Sequence, residues 1–133
     1  MALLADDPLG STREDPGNPR YAEAFAALDR SEHQLLAVAD DGGTVVGCLQ
    51  LTFIPGLSMI GLTRGQIESV RISRSRRGRG LGQRMVEWAI AQCRSRGCGL
   101  VQLTMDKQRG ETLRFYESLG FVASHVGFKL KLR

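Results

Sequence analysis

The stretch that most constrains the fold is residues 66–82, which read QIESVRISRSRRGRGLG. A strand-like pattern runs directly into a turn rich in arginine and glycine, and that turn opens a helical pattern. The first four N–H groups of a helix lack internal partners, and the aligned peptide dipoles add about half a positive charge there. The turn therefore predicts a cradle for a phosphate or diphosphate group, with glycines that let the ligand approach the backbone.

Length and composition limit the class of protein to which this cradle can belong. The chain has 133 residues, of which 42% are hydrophobic, as expected for a single domain, residues 1–133, with a buried core. No apolar run approaches the ~20 residues of a membrane span, and the first residues lack the pattern of a secretory signal. We therefore expect a cytoplasmic protein with no membrane partner.

The cysteines indicate neither a disulfide framework nor a metal site. There are three of them, Cys48, Cys93 and Cys98, and none has CxxC spacing. We expect all three to be small buried hydrophobic residues, and we expect no metal.

Periodicity predicts the elements before the cradle. A short helical fragment at residues 2–4 is followed by a loop at 7–20, and a helix starts at Tyr21. The sequence DDGG at 40–43 predicts the turn of a β-hairpin. A loop of about ten residues, 55–64, is long for a compact domain and is expected to border a substrate pocket.

A parallel βαβ unit is predicted over residues 66–105. Its helix starts near Gly80 and carries an apolar stripe that includes Trp88, which we expect in the core. The strand GLVQLTM, 99–105, follows it. A last helix, around 111–119, should end at Gly120, with Phe121 packed back on Tyr116 or Phe115. Two closing strands are expected on either side of Gly127 within 109–133.

The spacing of the glycines excludes two common phosphate-binding motifs. A P-loop needs a lysine after its second glycine, and the chain has no lysine before Lys107. A dinucleotide-binding turn needs GxGxxG, whereas Gly78, Gly80 and Gly82 form GxGxG and are followed by Gln83.

Two segments resemble one enzyme family. Residues 77–82, RGRGLG, resemble the RxxGxG signature of the GNAT superfamily of N-acetyltransferases, and residues 113–121, LRFYESLGF, are similar to its FYExLGF motif. The resemblance covers roughly residues 34–132. It implies a mixed α/β fold, with a central twisted mixed sheet flanked by helices and a parallel βαβ core around the coenzyme. Family members normally begin with a strand, and this chain starts within the first helix, so the first edge strand is expected to be absent.

The resemblance implies acetyl-CoA as the cosubstrate. Its diphosphate would lie on the backbone of the cradle, and its pantetheine arm would pair with main-chain groups of Val70 and Ile72. Further contacts are assigned to Arg71, Arg109 and Phe115, although the family often has Asn where this chain has Arg109. The predicted cradle residues are Arg77, Gly78, Arg79, Gly80, Leu81, Gly82 and Gln83, with charged contacts from Arg77 and Arg79.

Two residues are predicted to be catalytic. Glu68 alternates onto the strand face of Val70 and Ile72, where apolar neighbours would make it a stronger general base. The alternative is a structural carboxylate paired with Arg71 or Arg64. Tyr116, from the second motif, would donate a proton to the coenzyme sulfur, and its alternative role is a core aromatic residue.

The favoured function is transfer of an acetyl group from acetyl-CoA to a primary amine of a small molecule or peptide, by direct attack in a ternary complex. A CoA-binding module that is non-catalytic or uses another acyl group remains an alternative. Nucleic-acid binding through the arginine cluster is ranked last, because no aromatic residue interrupts the basic run. A homodimer is compatible with the resemblance and with an uncovered sheet edge.

Overall fold

The computed structural model describes residues 1–6, 9–107 and 110–132. The chain falls into two compact units, Met1–Gln102 and Leu103–Arg133. The first unit holds the sheet and the predicted cradle, and the second holds the FYExLGF-like segment.

The first unit contains several short helical segments and one long helix. The helices are α1 Ala2–Ala5, α2 Gly10–Arg13, α3 Arg20–Arg30, α4 Ser58–Gly61 and α5 Leu81–Ser95, with a 3-10 turn at Arg74–Arg76. The helical fragment at residues 2–4 and the helix from Tyr21 are confirmed. The loop predicted at 7–20 is wrong in part because α2 lies within it, where Thr12 donates its hydroxyl hydrogen to Leu9 O at 2.9 Å.

The sheet of the first unit has four strands in the order β1-β2-β3-β4. They are β1 Gln34–Asp41, β2 Thr44–Ile54, β3 Arg64–Ile72 and β4 Leu100–Gln102. β1–β2 and β2–β3 are antiparallel, whereas β3–β4 is parallel, which confirms a mixed sheet. The β1–β2 hairpin is also confirmed: Gly42 and Gly43 have φ of 58° and 94°, as a tight hairpin turn requires. Among the described residues ahead of β1, none belongs to a strand.

The core lies between α5 and one face of the sheet. β2 contributes Leu49, Leu51 and Phe53, and α5 covers them with four buried residues. These are Met85, Val86, Ala89 and Cys93. The prediction that Trp88 belongs to the core is wrong, since it is 41% exposed. The buried stripe is centred between Met85 and Val86, so Trp88 falls at its edge.

β4 is shorter than the sequence pattern predicted. Its parallel pairing with β3 is confirmed, but it runs only from Leu100 to Gln102 rather than over 99–105. Its partners are Arg64, Gly65 and Gln66 of β3. Among the described residues, the rest of β3, toward Ile72, therefore has no strand neighbour on that side.

The second unit is built on α6, Gly110–Ser118. The predicted helix ending is confirmed: Gly120 has φ of 95°, and Phe121 N–H donates to Tyr116 O at 3.1 Å. The predicted closing strands are wrong, because residues 121–132 adopt no strand. Alternating apolar side chains on this segment stay exposed, including Phe128 and Leu130. Alternation alone does not make a strand, which also needs a hydrogen-bonding neighbour.

Candidate active site

The arginine- and glycine-rich turn ends in a helix start that is open to solvent. Gly78 and Gly80 have φ of 76° and 78°, the left-handed region that glycine adopts without a side-chain clash. A Cβ atom built on either residue would meet no atom within 4 Å. The two glycines therefore provide both the backbone conformation and the space for a ligand.

The first N–H groups of α5 have no partner within the helix. Arg84 N–H makes the first intrahelical bond, to Gly80 O at 3.1 Å, so the N–H groups of Leu81, Gly82 and Gln83 precede it. Gly80 is the N-cap residue and carries no capping side chain. The Gln83 side chain points along the helix and donates to Glu87 at 3.0 Å. The arrangement suits an anion that accepts several main-chain hydrogen bonds.

Arginine side chains brace the turn. Arg74 pairs with Asp6 at 2.9 Å, and Arg76 pairs with Asp41 at 2.5 Å. Arg77 donates to Ile72 O at 3.1 Å and to Asp6 O at 3.0 Å. Two guanidinium nitrogens of Arg77 are thus engaged with protein carbonyls. Its main role in the structure is to hold the turn against the end of β3.

A β-bulge separates Glu68 from the end of β3. Cys48 pairs with Arg71 and Gln50 with Glu68, so the single residue Leu49 stands opposite two residues of β3. One of these two, Ser69, has φ of 56°, in the left-handed region. The bulge interrupts the two-residue alternation of the strand.

The predicted common face for Glu68, Val70 and Ile72 is therefore wrong. Directly paired residues share a face, which places Glu68 and Arg71 together. Ile72 lies on the α5 side, where its Cδ1 is 3.3 Å from the Cβ position of Gly47. Two main-chain carbonyls that follow the bulge already have partners: Val70 O accepts from Arg71 at 2.8 Å, and Ile72 O accepts from Arg77.

Glu68 lies on a polar face of the sheet, opposite α5. We use "polar face" for six side chains: Gln34, Gln50, Thr52, Gln66, Glu68 and Gln102. Gln34 Oε1 accepts hydrogen bonds from Gln50 at 3.0 Å and from Thr52 at 2.9 Å, and Gln66 Oε1 accepts one from Gln102 at 3.0 Å. Glu68 itself is exposed, and it does not share a face with Ile72 as expected.

The sequence reasoning did not identify the amide residues of this polar face. A sequence pattern that could have identified them is present in β2 and β3. Apolar and polar residues alternate there, in the segments LQLTF and QIE. It predicts one buried and one polar sheet face. The register that aligns the glutamines across four strands is visible only in the structure.

The second unit holds Tyr116 in a packed aromatic group. The Tyr116 ring makes edge contacts with Phe115 at 5.0 Å and with Phe121 at 5.7 Å between centroids. Both Phe115 and Tyr116 are half-buried. Arg109, predicted to contact the coenzyme, lies outside the described residues.

The described part of the chain offers neither a metal site nor a membrane span. Within residues 1–6, 9–107 and 110–132, no group of three or more His, Cys, Asp or Glu side chains is placed to hold a metal ion. Over the same part of the chain, every helix is too short or too polar to span a bilayer.

Most of the chain matches a known protein family. The Acetyltransferase (GNAT) family matches residues 2–121. This range includes both motifs on which the resemblance rests.

Two curated relatives are N-acetyltransferases. The glucosamine 6-phosphate N-acetyltransferase of Trypanosoma brucei brucei is 36% identical over 90 residues, which are 68% of this chain and 59% of that protein. The aminoalkylphosphonate N-acetyltransferase of Salmonella typhimurium is 30% identical over 110 residues, covering 81% of this chain and 70% of that protein. The chain therefore spans less than two thirds of the trypanosomal relative.

A solved structure from Bacillus halodurans C-125, described as a transcriptional regulator, is similar along almost the whole chain. It is 46% identical with a TM-score of 0.96, and the match covers 98% of this chain and 89% of that one. The fold is therefore shared with a natural protein over nearly the full sequence.

Proposed function

This chain belongs to the GNAT family of acetyltransferases, and we propose that it transfers the acetyl group of acetyl-CoA to a primary amine of a small molecule or peptide. The amine would attack the thioester directly in a ternary complex. The observation that carries the proposal is the helix start at Leu81, where main-chain N–H groups have no partner within the helix and a Cβ on either left-handed glycine would meet no atom within 4 Å.

The coenzyme would lie along two neighbouring features of the first unit. Its diphosphate would accept hydrogen bonds from the N–H groups at the start of α5. Its pantetheine arm, which is peptide-like, would add to the part of β3 that β4 leaves uncovered. The bulge at Ser69 lies on this stretch, and the Val70 N–H would face the thioester oxygen as an oxyanion donor.

Glu68 and Tyr116 would move the two protons of the reaction. Glu68 takes a proton from the ammonium form of the acceptor, directly or through water, because only the neutral amine is a nucleophile. The amine nitrogen bonds to the acetyl carbon and loses its surplus proton to water, and the carbon–sulfur bond breaks. Tyr116 then donates its phenolic proton to the departing sulfur. The exposed position of Glu68 suits a base that meets a solvated amine.

The polar face supports a small, polar acceptor. Its amide and hydroxyl groups next to Glu68 can hydrogen-bond to hydroxyl groups or to an anion. Both curated relatives are named for acceptors that carry a phosphate or a phosphonate group together with the amine. We propose an acceptor of that class, a small amine with further polar or anionic groups.

Two conservative variants test the catalytic assignments. In Glu68→Gln and Tyr116→Phe, we expect kcat/KM to fall about 100-fold or more, because each removes one proton-transfer group. The Kd of acetyl-CoA should change by less than about threefold, since neither side chain is assigned to coenzyme binding. Glu23→Gln, on the exposed surface of α3, is the matched control and should behave as the parent protein. Unchanged turnover in both active-site variants would refute the assignments.

The same assay separates the alternatives. Tight binding of acetyl-CoA without turnover on a panel of amines would favour a non-catalytic or other-acyl module. The arginine cluster gives little support to nucleic-acid binding, because Arg74 and Arg76 are neutralised by Asp6 and Asp41. Because the similar Bacillus structure is described as a transcriptional regulator, binding to duplex DNA should still be measured. An affinity for DNA that falls steeply with salt concentration would favour nucleic-acid binding.

A further inference from the structure

The C-terminal end of α5 brings two cysteines together. Gly97 has φ of 76°, its N–H donates to Arg94 O at 3.1 Å, and Cys98 N–H donates to Cys93 O at 2.9 Å. These are the two hydrogen bonds of a Schellman ending. In this motif, the side chain of the residue after the left-handed glycine packs against the side chain five positions before it. Here these residues are Cys98 and Cys93. In α5, both of those side chains are thiols.

In the second unit, α6 also ends in a Schellman motif, with aromatic residues in place of the two cysteines. Gly120 N–H donates to Glu117 O at 3.0 Å, and Phe121 N–H donates to Tyr116 O at 3.1 Å. The side chains in the two equivalent positions, Tyr116 and Phe121, are in direct ring contact. The motif therefore produces the expected side-chain contact within this chain.

β3 leaves space for the two thiols. Gly65 lies beneath the end of α5, and a Cβ atom built on it would collide with Cys93 Sγ and lie 3.9 Å from Cys98 Sγ. Both sulfur atoms thus converge on one point above the glycine. A disulfide needs Cα atoms about 4.4–6.8 Å apart, a range that the Cys98 to Cys93 main-chain bond favours.

We propose that Cys93 and Cys98 form an oxidisable dithiol, a modification site that closes to a disulfide when the protein meets a small-molecule disulfide such as oxidised glutathione. The proposal does not depend on the acetyltransferase activity. Cys48 takes no part, because its thiol lies on the other face of the sheet and donates to Ser69 O at 3.7 Å.

The exposure of the two thiols sets the order of the reaction. Cys93 is 1% exposed, and burial together with the neighbouring Cys98 raises its pKa to about 11. Cys98 is half-buried and within reach of solvent. The Cys98 thiolate attacks the small disulfide and releases one thiol. Cys93 then loses its proton, attacks Cys98 Sγ and displaces the second thiol, so the protein loses two hydrogen atoms and the oxidant is reduced to two thiols.

The test is thiol counting on the folded, full-length chain. The reduced protein is incubated with excess oxidised glutathione, quenched in acid, unfolded and alkylated without reductant. We expect one alkylated cysteine, Cys48, and a mass that is lower by two hydrogen atoms before alkylation. Peptide mapping should link Cys93 to Cys98. Alkylation of all three cysteines, a link that involves Cys48, or a lasting glutathione adduct on Cys98 would each overturn the proposal.

Two variants sharpen the assignment. Cys48→Ser should still form the disulfide and leave no free thiol. Cys98→Ser should leave Cys93 reduced, because the buried thiol has lost its accessible partner. If a variant fails to fold, the peptide map of the oxidised parent protein still tests the proposal. Efficient oxidation of Cys93 in Cys98→Ser would contradict the order of attack.

Discussion

The two ends of α5 use the same backbone device for different purposes. Gly80 at the start and Gly97 at the end both have left-handed φ, 78° and 76°. At the start, the N–H groups of Leu81, Gly82 and Gln83 precede the first intrahelical hydrogen bond, so they have no partner within the helix. At the end, the helix closes on itself, and its last buried residue, Cys93, fills the space above Gly65. The hydrogen bonding of the neighbouring main-chain groups, rather than the glycine itself, therefore separates an end that can bind a ligand from an end that packs.

The closed end should be the more sensitive to added volume. In Gly65→Ala, the new methyl group would collide with Cys93 Sγ, so we expect the free energy of unfolding to fall by about 3 kcal/mol. Urea denaturation followed by circular dichroism measures this loss. Adding Cys93→Ala should recover part of it, because the colliding sulfur is gone. Equal stability of Gly65→Ala and the parent would mean that the end of α5 is not closely packed.

A matched pair of substitutions separates stability from binding. Gly80→Ala and Gly97→Ala each place a Cβ on a left-handed residue, so each should lower the free energy of unfolding by about 1.5 kcal/mol. Only Gly80→Ala should weaken the binding of acetyl-CoA, because Gly97 lies at the other end of the helix. Thermal unfolding and calorimetric titration give the two readouts. Weaker coenzyme binding in both variants would contradict the claim that only the start of α5 binds acetyl-CoA.

The buried thiol should give the closed end a small pH dependence. The pKa of Cys93 is raised from 9.0 to about 11, mainly by burial and then by Cys98. The unfolded chain therefore releases this proton at lower pH than the folded chain. Below pH 9, the protonated thiol makes its full contribution to the free energy of unfolding. This contribution is lost as the pH rises toward 11, and the loss is about 1 kcal/mol at pH 10. Urea titrations of the parent and Cys93→Ala should diverge in that window, and parallel curves would contradict a buried neutral thiol.

Local signals in the sequence predicted the parts of the fold that depend on local geometry. The glycines at 42 and 43 specified the hairpin, and Gly120 with Phe121 specified the end of α6. The turn that opens α5 could be read in the same way. In each case, a left-handed residue or a helix end restricts the chain without help from distant residues.

The features that the sequence did not reveal depend on distant partners. Ser69 is not a glycine, and its left-handed conformation follows from the register of β3 against β2. The alignment of Gln34, Gln66 and Gln102 depends on the same pairing of strands. The alternating apolar residues after Gly127 suggested a strand, but in the described residues of the second unit they have no strand to pair with.

The central claim is that main-chain N–H groups at the start of α5 hold the diphosphate of acetyl-CoA, and Leu81→Pro tests it most directly. Proline is tolerated at the first position of a helix and removes one N–H group. Leu81→Ala is the control, since it removes the same side chain but keeps the N–H. Isothermal titration with acetyl-CoA should show Kd raised about 10- to 100-fold in Leu81→Pro, the value of one hydrogen bond to a charged group, and by less than about threefold in Leu81→Ala. Equal Kd values in the two variants, with α5 intact by circular dichroism, would contradict the claim.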